Sequence, residues 1–312
     1  MTIAKSVITM SILIRETRHW LRHSIDAVAN GRDQWRSARQ QRRVERLLAS
    51  NLSHRTYDDD ATFDRLQARF PTRPAYAYDA YSCWQRGIER AGRLIKHLGI
   101  GEPGLHVLEV GCGDGMLGAV LHGYGHQVTL CDLEDWRDPR AAAIAFHPAD
   151  VDKAIDLPKA SFDVICSYNS FEHFNDPAAT LGHFVPLLRP QGRIYLEFGP
   201  LYTSPWGLHA FATIRLPYPQ LIFSPAFIEQ KLREVGIHTL GRASESLQPL
   251  NQWRLREFTG LWKGSGCTVE HHETGKNVRF LDLVLEFPQA FCAIDLRYED
   301  LVTEHIAVTL RR

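Results

Sequence analysis

Three glycines at alternate positions, Gly111, Gly113 and Gly115, follow the apolar run Val107-Leu-Glu-Val110 and precede Met116-Leu-Gly-Ala-Val-Leu-His122. The run reads as a strand, and the segment after the glycines has the apolar spacing of a helix. Such a turn can cradle a nucleotide-like ligand, because glycine has no Cβ in the way and a helix N-terminus leaves N–H groups unpaired. The dinucleotide fingerprint Gly-x-Gly-x-x-Gly needs glycine where Met116 stands, so a nicotinamide cofactor is disfavoured. Gln127-Val-Thr-Leu-Cys-Asp132 reads as the next strand and ends in a carboxylate 19 residues beyond Gly113. A carboxylate at that place can accept both hydroxyls of a ribose. Further on, Glu172, His173 and His209 are candidate bases for taking a proton from an acceptor, histidine because it titrates near neutrality.

The order Glu109-x-Gly111-x-Gly113-x-Gly115 resembles motif I of the class I S-adenosylmethionine-dependent methyltransferases. Ala149-Asp150-Val151 resembles that family's adenine-contacting segment, and Ser161-Phe-Asp-Val-Ile-Cys-Ser-Tyr168 its fourth strand. Asn169-Ser-Phe-Glu-His173 is similar to the segment that closes over the methionine end, and Leu188-Arg-Pro-Gln-Gly-Arg-Ile-Tyr-Leu196 to the turn into its fifth strand. The resemblance runs from about Tyr81 to Gly199. It implies S-adenosylmethionine as cofactor, with Glu109, Gly111, Cys112 and Gly113 at the methionine moiety. Asp132 and Leu133 fall at the ribose and adenine, Asp150 and Val151 at the adenine, and Ser167 at the amino-acid backbone. Cys112 is expected to contribute its backbone and not its thiol. Glu172-His173 is similar to a pair found in quinone-pathway and glycan-pathway members, where it either serves as base or caps the cofactor and orders the loop.

From Val107 to Phe198 the pattern alternates strand and helix, which implies a parallel sheet with helices on both faces and ligands at the strands' carboxyl ends. Ser82 to Leu98 reads as an amphipathic helix stopped by Gly99 and feeding the first strand. Ser224-Pro225 supplies an N-cap and first-turn proline for a helix through Val235, ended by Gly236. Leu255 to Lys263 reads as helix, Gly266 to Glu273 as strand, Phe280 to Ile294 as an apolar stretch interrupted at Pro288, and Glu304 to Leu310 as a final alternating strand. The fold class is therefore α/β, doubly wound. The resemblance adds a mostly parallel seven-stranded sheet with an antiparallel C-terminal strand. Residues 1–75 are expected to form a helical extension or lid, and residues 76–312 the methyltransferase domain with an aromatic, proline-rich insertion at about 200–225. That insertion, with Tyr202, Trp206, Phe211, Tyr218 and Phe223, is either a cap over the acceptor or a unit packed on itself. Tyr76, Tyr78 and Tyr81 are either part of a lid or packing at the sheet edge.

At 312 residues and 44% apolar content the chain can bury a large core. Its net charge is zero, but residues 1–55 hold eleven basic and four acidic side chains, a local +7 against −7 for the remainder. Such a segment suits either a solvated helical face or contact with an anionic membrane surface or partner. Ile3 to Ile14 is too short for a membrane span of ~20 residues, and the charged stretch after it disfavours a signal peptide. Six cysteines without a Cys-x-x-Cys pair point to a reducing, cytoplasmic compartment. No metal site is expected: His19 and His23 lack the glutamate of His-Glu-x-x-His, and adjacent His271 and His272 face opposite sides of a strand. Nucleic acid is not expected as substrate, because no basic aromatic-interleaved patch lies in the core and Ser167-Tyr-Asn-Ser170 replaces the Asp/Asn-Pro-Pro-Tyr/Phe signature. The expected activity is S-adenosylmethionine-dependent methyl transfer to a small-molecule or glycan-type acceptor at a hydroxyl; a non-catalytic S-adenosylmethionine-binding scaffold is the alternative.

Overall fold

A computed structural model describes residues 37–71, 77–210, 212–239 and 242–312. The basic segment up to residue 36, with His19 and His23, and the aromatics Tyr76 and Phe211 lie outside the described residues. Two helices come first, α1 (37–48) and α2 (Asp60–Arg69), the latter capped by Asp59, whose carboxylate accepts the Thr62 amide. Helix α3 (Ala80–Leu98) is capped by Asp79 at its start and by left-handed Gly99 at its end. It buries Cys83, Gly87, Ala91, Leu94 and Leu98, a stripe at helical spacing that settles it on the sheet.

The alternating segment follows as β1 (His106–Val110), α4 (Met116–Gly123), β2 (Gln127–Asp132), β3 (Ala145–Pro148), β4 (Phe162–Tyr168), α5 (Pro177–Leu187) and β5 (Leu188–Phe198). After β5 come turns, then α6 (Pro219–Ile222), α7 (Pro225–Val235), the short hairpin β6 (Ile237–Thr239) and β7 (Arg242–Ser244), and α8 (Leu255–Gly264). The chain closes with β8 (Thr268–Lys276), α9 (Leu281–Glu286), α10 (Pro288–Phe291), α11 (Tyr298–Val302) and β9 (Thr303–Arg311). Seven strands make one sheet in the order β3-β2-β1-β4-β5-β9-β8. The first five run parallel, and β9 is antiparallel to both of its neighbours. This is the doubly wound, mostly parallel sheet with an antiparallel C-terminal strand that the sequence predicts, and a helical segment precedes it.

Three apolar clusters hold the molecule together. One face of the sheet packs against α3 and α4 through Ala91, Leu94, Leu117 and Leu121. The other packs against α5 and α8 through Leu181, Phe184, Phe258 and Trp262. Strands covered on both faces read as near-continuous apolar runs, which is why β1 buries Val107, Leu108 and Val110 in succession. A third cluster is built from Val44 of α1, Phe63 and Leu66 of α2, the insertion after β5, α7, and residues 281–302. Among the described residues no helix is long and apolar enough to cross a membrane.

Candidate active site

The order of strands reverses beside β1, since β2 and β4 flank it on either side. Ligand crevices form at the carboxyl ends of the strands there. The glycine turn occupies that place. Gly111 and Gly113 have φ of +64° and +53°, values that L side chains avoid. Their surroundings differ: a Cβ on Gly111 would lie 2.3 Å from Ser170 Oγ, whereas one on Gly113 would meet no protein atom within 4 Å. The loop therefore leaves a space on the Gly113 side. Cys112 is buried and gives its backbone N–H to Cys131 O at 3.2 Å, while burial pushes its thiol pKa far up.

Asp132, at the end of β2, closes one wall of that space. Its Oδ2 accepts the Gly113 amide at 2.9 Å and its Oδ1 the Leu133 amide at 2.8 Å. Each oxygen keeps a lone pair for a further donor such as a hydroxyl. Burial raises the Asp132 pKa, while those amides pull it down. Leu133 is 65% exposed, so its apolar side chain is open to a flat partner. Asp150 follows the edge strand β3 and pairs with Lys153 at 2.9 Å; Val151 is buried. The Ala149 amide donates to Asp132 O at 2.9 Å, which seats this segment beside the end of β2.

Glu109 and Ser167 face inward. Glu109 is 3% exposed, and its Oε2 accepts the Gly118 amide in the first turn of α4 at 2.8 Å. Burial lifts its carboxyl to about 8 against the pull of that amide. The carboxyl therefore ties β1 to the first turn of α4, the two elements that the glycine turn joins. Ser167 is buried within β4 and its hydroxyl has no hydrogen-bond partner.

The structure brings Glu172, His173 and His209 together. The first two follow β4 in the turn 171–174, and His209 ends the turns that follow β5. Glu172 is 3% exposed; its Oε1 accepts the Gly199 amide at 3.1 Å and lies 4.0 Å from His173 Nε2. The two imidazoles meet edge to face with centroids 5.0 Å apart. His173 Nδ1 donates to Pro249 O at 2.7 Å and His209 Nε2 to Pro200 O at 2.8 Å. In a neutral ring such a bond sets the tautomer, and the remaining nitrogen, His173 Nε2 or His209 Nδ1, is then the acceptor. Burial raises the Glu172 pKa and, with His173 alongside, pushes His209 down to about 4. Ser170, between this cluster and the loop, donates to Gly111 O at 3.1 Å.

A family model described as "Methyltransferase domain" matches residues 76–272. The chain belongs to the class I S-adenosylmethionine-dependent methyltransferases. Among curated relatives, the ubiquinone biosynthesis O-methyltransferase of Rhodopseudomonas palustris (strain BisB5) is 27% identical over 230 residues, 66% of this chain and 85% of that protein. The malonyl-[acyl-carrier protein] O-methyltransferase of Paenibacillus sp. (strain JDR-2) is 30% identical over 201 residues, 56% of this chain and 71% of that protein. A solved S-adenosylmethionine-dependent methyltransferase from Mesorhizobium loti aligns with 72% of this chain and 100% of its own, at 21% identity and a TM-score of 0.44.

Some parts of this methyltransferase's site have no local signal in its sequence. Arg86 on α3 reaches Asp114 of the glycine loop at 2.8 Å, and its guanidinium lies over the Tyr78 ring. Asn251 donates from Nδ2 to Phe171 O and Phe174 O, and its backbone amide to Glu172 O, clamping the turn that carries Glu172 and His173. Both partners are far apart in the chain, and nothing in residue type or spacing announces them. The aromatic insertion after β5 turns most of its described rings inward: Trp206, Tyr218 and Phe223 are buried in the third cluster or against it. Its contribution at the site is His209.

Proposed function

We propose that this methyltransferase methylates a hydroxyl of a small-molecule or glycan-type acceptor, held between the Gly113–Asp132 space and the Glu172–His173–His209 cluster. S-adenosylmethionine supplies an electrophilic methyl group when bound. The residues present fit it, with Asp132 offering a carboxylate to the ribose hydroxyls and the bare Gly113 backbone leaving room. Leu133 and the Asp150–Val151 segment would flank the adenine. Gly111, Cys112 and Gly113 would line the methionine end through their backbone, Glu109 holding the turn beneath them and Ser167 lying behind. The chain's remaining task is to orient an acceptor and draw off its proton.

The observation that carries the hydroxyl reading is the convergence of two imidazoles and a buried carboxylate at one point. A hydroxyl needs such a proton acceptor, worth ~10²–10⁴-fold in rate, whereas a carboxylate acceptor needs none. The two curated relatives described above are named for O-methyl transfer, which supports oxygen as the atom methylated. Nucleic acid does not enter this reading. Residues 76–312 form the transferase unit, and the described helices α1 and α2 pack on it through the third apolar cluster. All six cysteines are free, which supports a reducing cytoplasmic setting.

The test supplies methyl-labelled S-adenosylmethionine with phenolic, catecholic and sugar hydroxyl acceptors and seeks a methyl ether by mass spectrometry. His209→Ala is expected to lower turnover at least tenfold while cofactor affinity, read by calorimetry, stays the same. Full turnover in the variant would remove His209 from the reaction, and label appearing only in methyl esters would refute the hydroxyl acceptor.

A further inference from the structure

The ligand-capable atoms of Glu172, His173 and His209 all lie within 4.8 Å of one another. Among the described residues this is the group of three side chains that could hold a metal ion. We propose that they bind a divalent cation of the zinc type, leaving one position open to the acceptor's hydroxyl oxygen. The inference rests on the reading of this cluster as the acceptor's site, and it replaces the imidazoles as direct proton acceptors with a cation that acidifies the bound hydroxyl.

Three observations converge. Each imidazole already donates one N–H to a backbone carbonyl, His173 to Pro249 O and His209 to Pro200 O, which leaves the other ring nitrogen to serve as a ligand. Metal-bound histidines show this arrangement, because the outer hydrogen bond orients the ring and raises its basicity. Second, Glu172 is shut from solvent and its Oε2 has no hydrogen-bond partner. A buried carboxylate with an unpartnered oxygen is costly, and a cation bound through either oxygen would offset that cost. Third, two imidazoles and one carboxylate with an open fourth position are the donor set of catalytic zinc sites and a poor match for calcium or magnesium, which favour oxygen ligands.

The ligand atoms must close up to hold an ion. Bonds of about 2.0–2.2 Å to a tetrahedral ion place its ligands roughly 3.3–3.5 Å apart. Glu172 Oε1 and His173 Nε2 stand 4.0 Å apart and the three ligand atoms lie within 4.8 Å of one another, so side-chain rotations must draw them together by up to about 1.5 Å. His209 comes from the insertion, so the site is complete only when that segment is docked. A hydroxyl on the open position would lose its proton to solvent water, the O–H pair remaining on oxygen, as the pKa of water bound to such an ion falls to about 7.

The test strips the full chain with a chelator, dialyses it and titrates it with zinc chloride alone, following heat and bound metal. S-adenosylmethionine affinity of each variant serves as the check on folding. One zinc per chain is expected, with affinity at least tenfold lower in His209→Ala and in His173→Ala. No saturable uptake, or uptake that neither substitution weakens, overturns the site. Should Glu172→Gln unfold through its bond to the Gly199 amide, the two histidine variants decide alone. Full methylation of a hydroxyl acceptor without zinc uptake would sink the cation and leave the function standing. Zinc uptake with no hydroxyl methylated would do the reverse.

Discussion

Gly113 has a left-handed backbone whose absent side chain would project into open space, while Gly111 is closed in by Ser170. Alanine at 113 therefore clashes with no protein atom and costs only the left-handed strain, about 1–2 kcal/mol. Its methyl would enter the proposed cofactor space, so Gly113→Ala should fold while S-adenosylmethionine affinity drops at least tenfold by calorimetry; unchanged affinity would place the ligand elsewhere. Glu109 supports a different prediction. Its folded pKa of about 8 lies above the ordinary 4.5, so its stabilising effect is complete below pH 4.5 and lost as pH rises through 8. Relative to Glu109→Gln, the parent chain should lose about 4–5 kcal/mol of stability over that interval, read from denaturant melts at stepped pH. The glycines and Asp132 were legible because their chemistry is local to one turn and one strand end. Glu172, His173 and His209 could each be singled out by type, but their meeting depends on how the turns after β5 fold back, which no spacing encodes. Ser167 shows the opposite limit: its strand position was readable, whereas the burial of its hydroxyl without a hydrogen-bond partner was not.

At the scale of elements, α3 controls the glycine loop from behind. Gly87 sits where a Cβ would lie 2.6 Å from Met116 O, so α3 and the first turn of α4 touch backbone to backbone. Arg86, one residue before it, holds Asp114 of the same loop. Gly87→Ala must push the two helices apart, at a cost of about 1–3 kcal/mol. The displaced loop should also weaken S-adenosylmethionine binding, so a melt and a titration are expected to move together; a lower melting temperature with full affinity would show that α3 does not position the loop. Helix limits were readable where a cap marks them. Gly99 ends α3 and Ser224 opens α7 as its sequence predicts, the Ser224 hydroxyl accepting the Phe227 amide. The start of α3 falls at Ala80 because Asp79 accepts the amides of Tyr81 and Ser82. The hairpin of β6 and β7 carried no such mark. Edge strand β3 is four residues long and only partly buried, so it shows neither alternation nor a continuous apolar run.

Across the whole molecule, the third apolar cluster joins parts of the chain that sequence order keeps apart. Phe63 of α2, 2% exposed, packs edge-on against Phe223 and Phe227 at 5.6 and 5.9 Å, and Tyr218 of the insertion bonds Leu301 O and packs against Phe291. The sequence showed an apolar, aromatic insertion and a helical extension but not that they share a core, because long-range packing leaves no periodic signature. On either side of His209, Ala210 belongs to that cluster and Leu208 packs against it, so the position of the imidazole depends on it. The sheet and the glycine turn rest on the other two clusters. Phe63→Ala should therefore cost about 3–5 kcal/mol of stability in the outer core. At temperatures where the variant remains folded, it should lower turnover on a hydroxyl acceptor severalfold by loosening His209, with S-adenosylmethionine affinity held. Initial rates and cofactor titrations on the same preparation separate the two quantities. Parallel loss of both would mean that the outer core also shapes the cofactor crevice, whereas loss of stability alone would show that His209 keeps its place without Phe63.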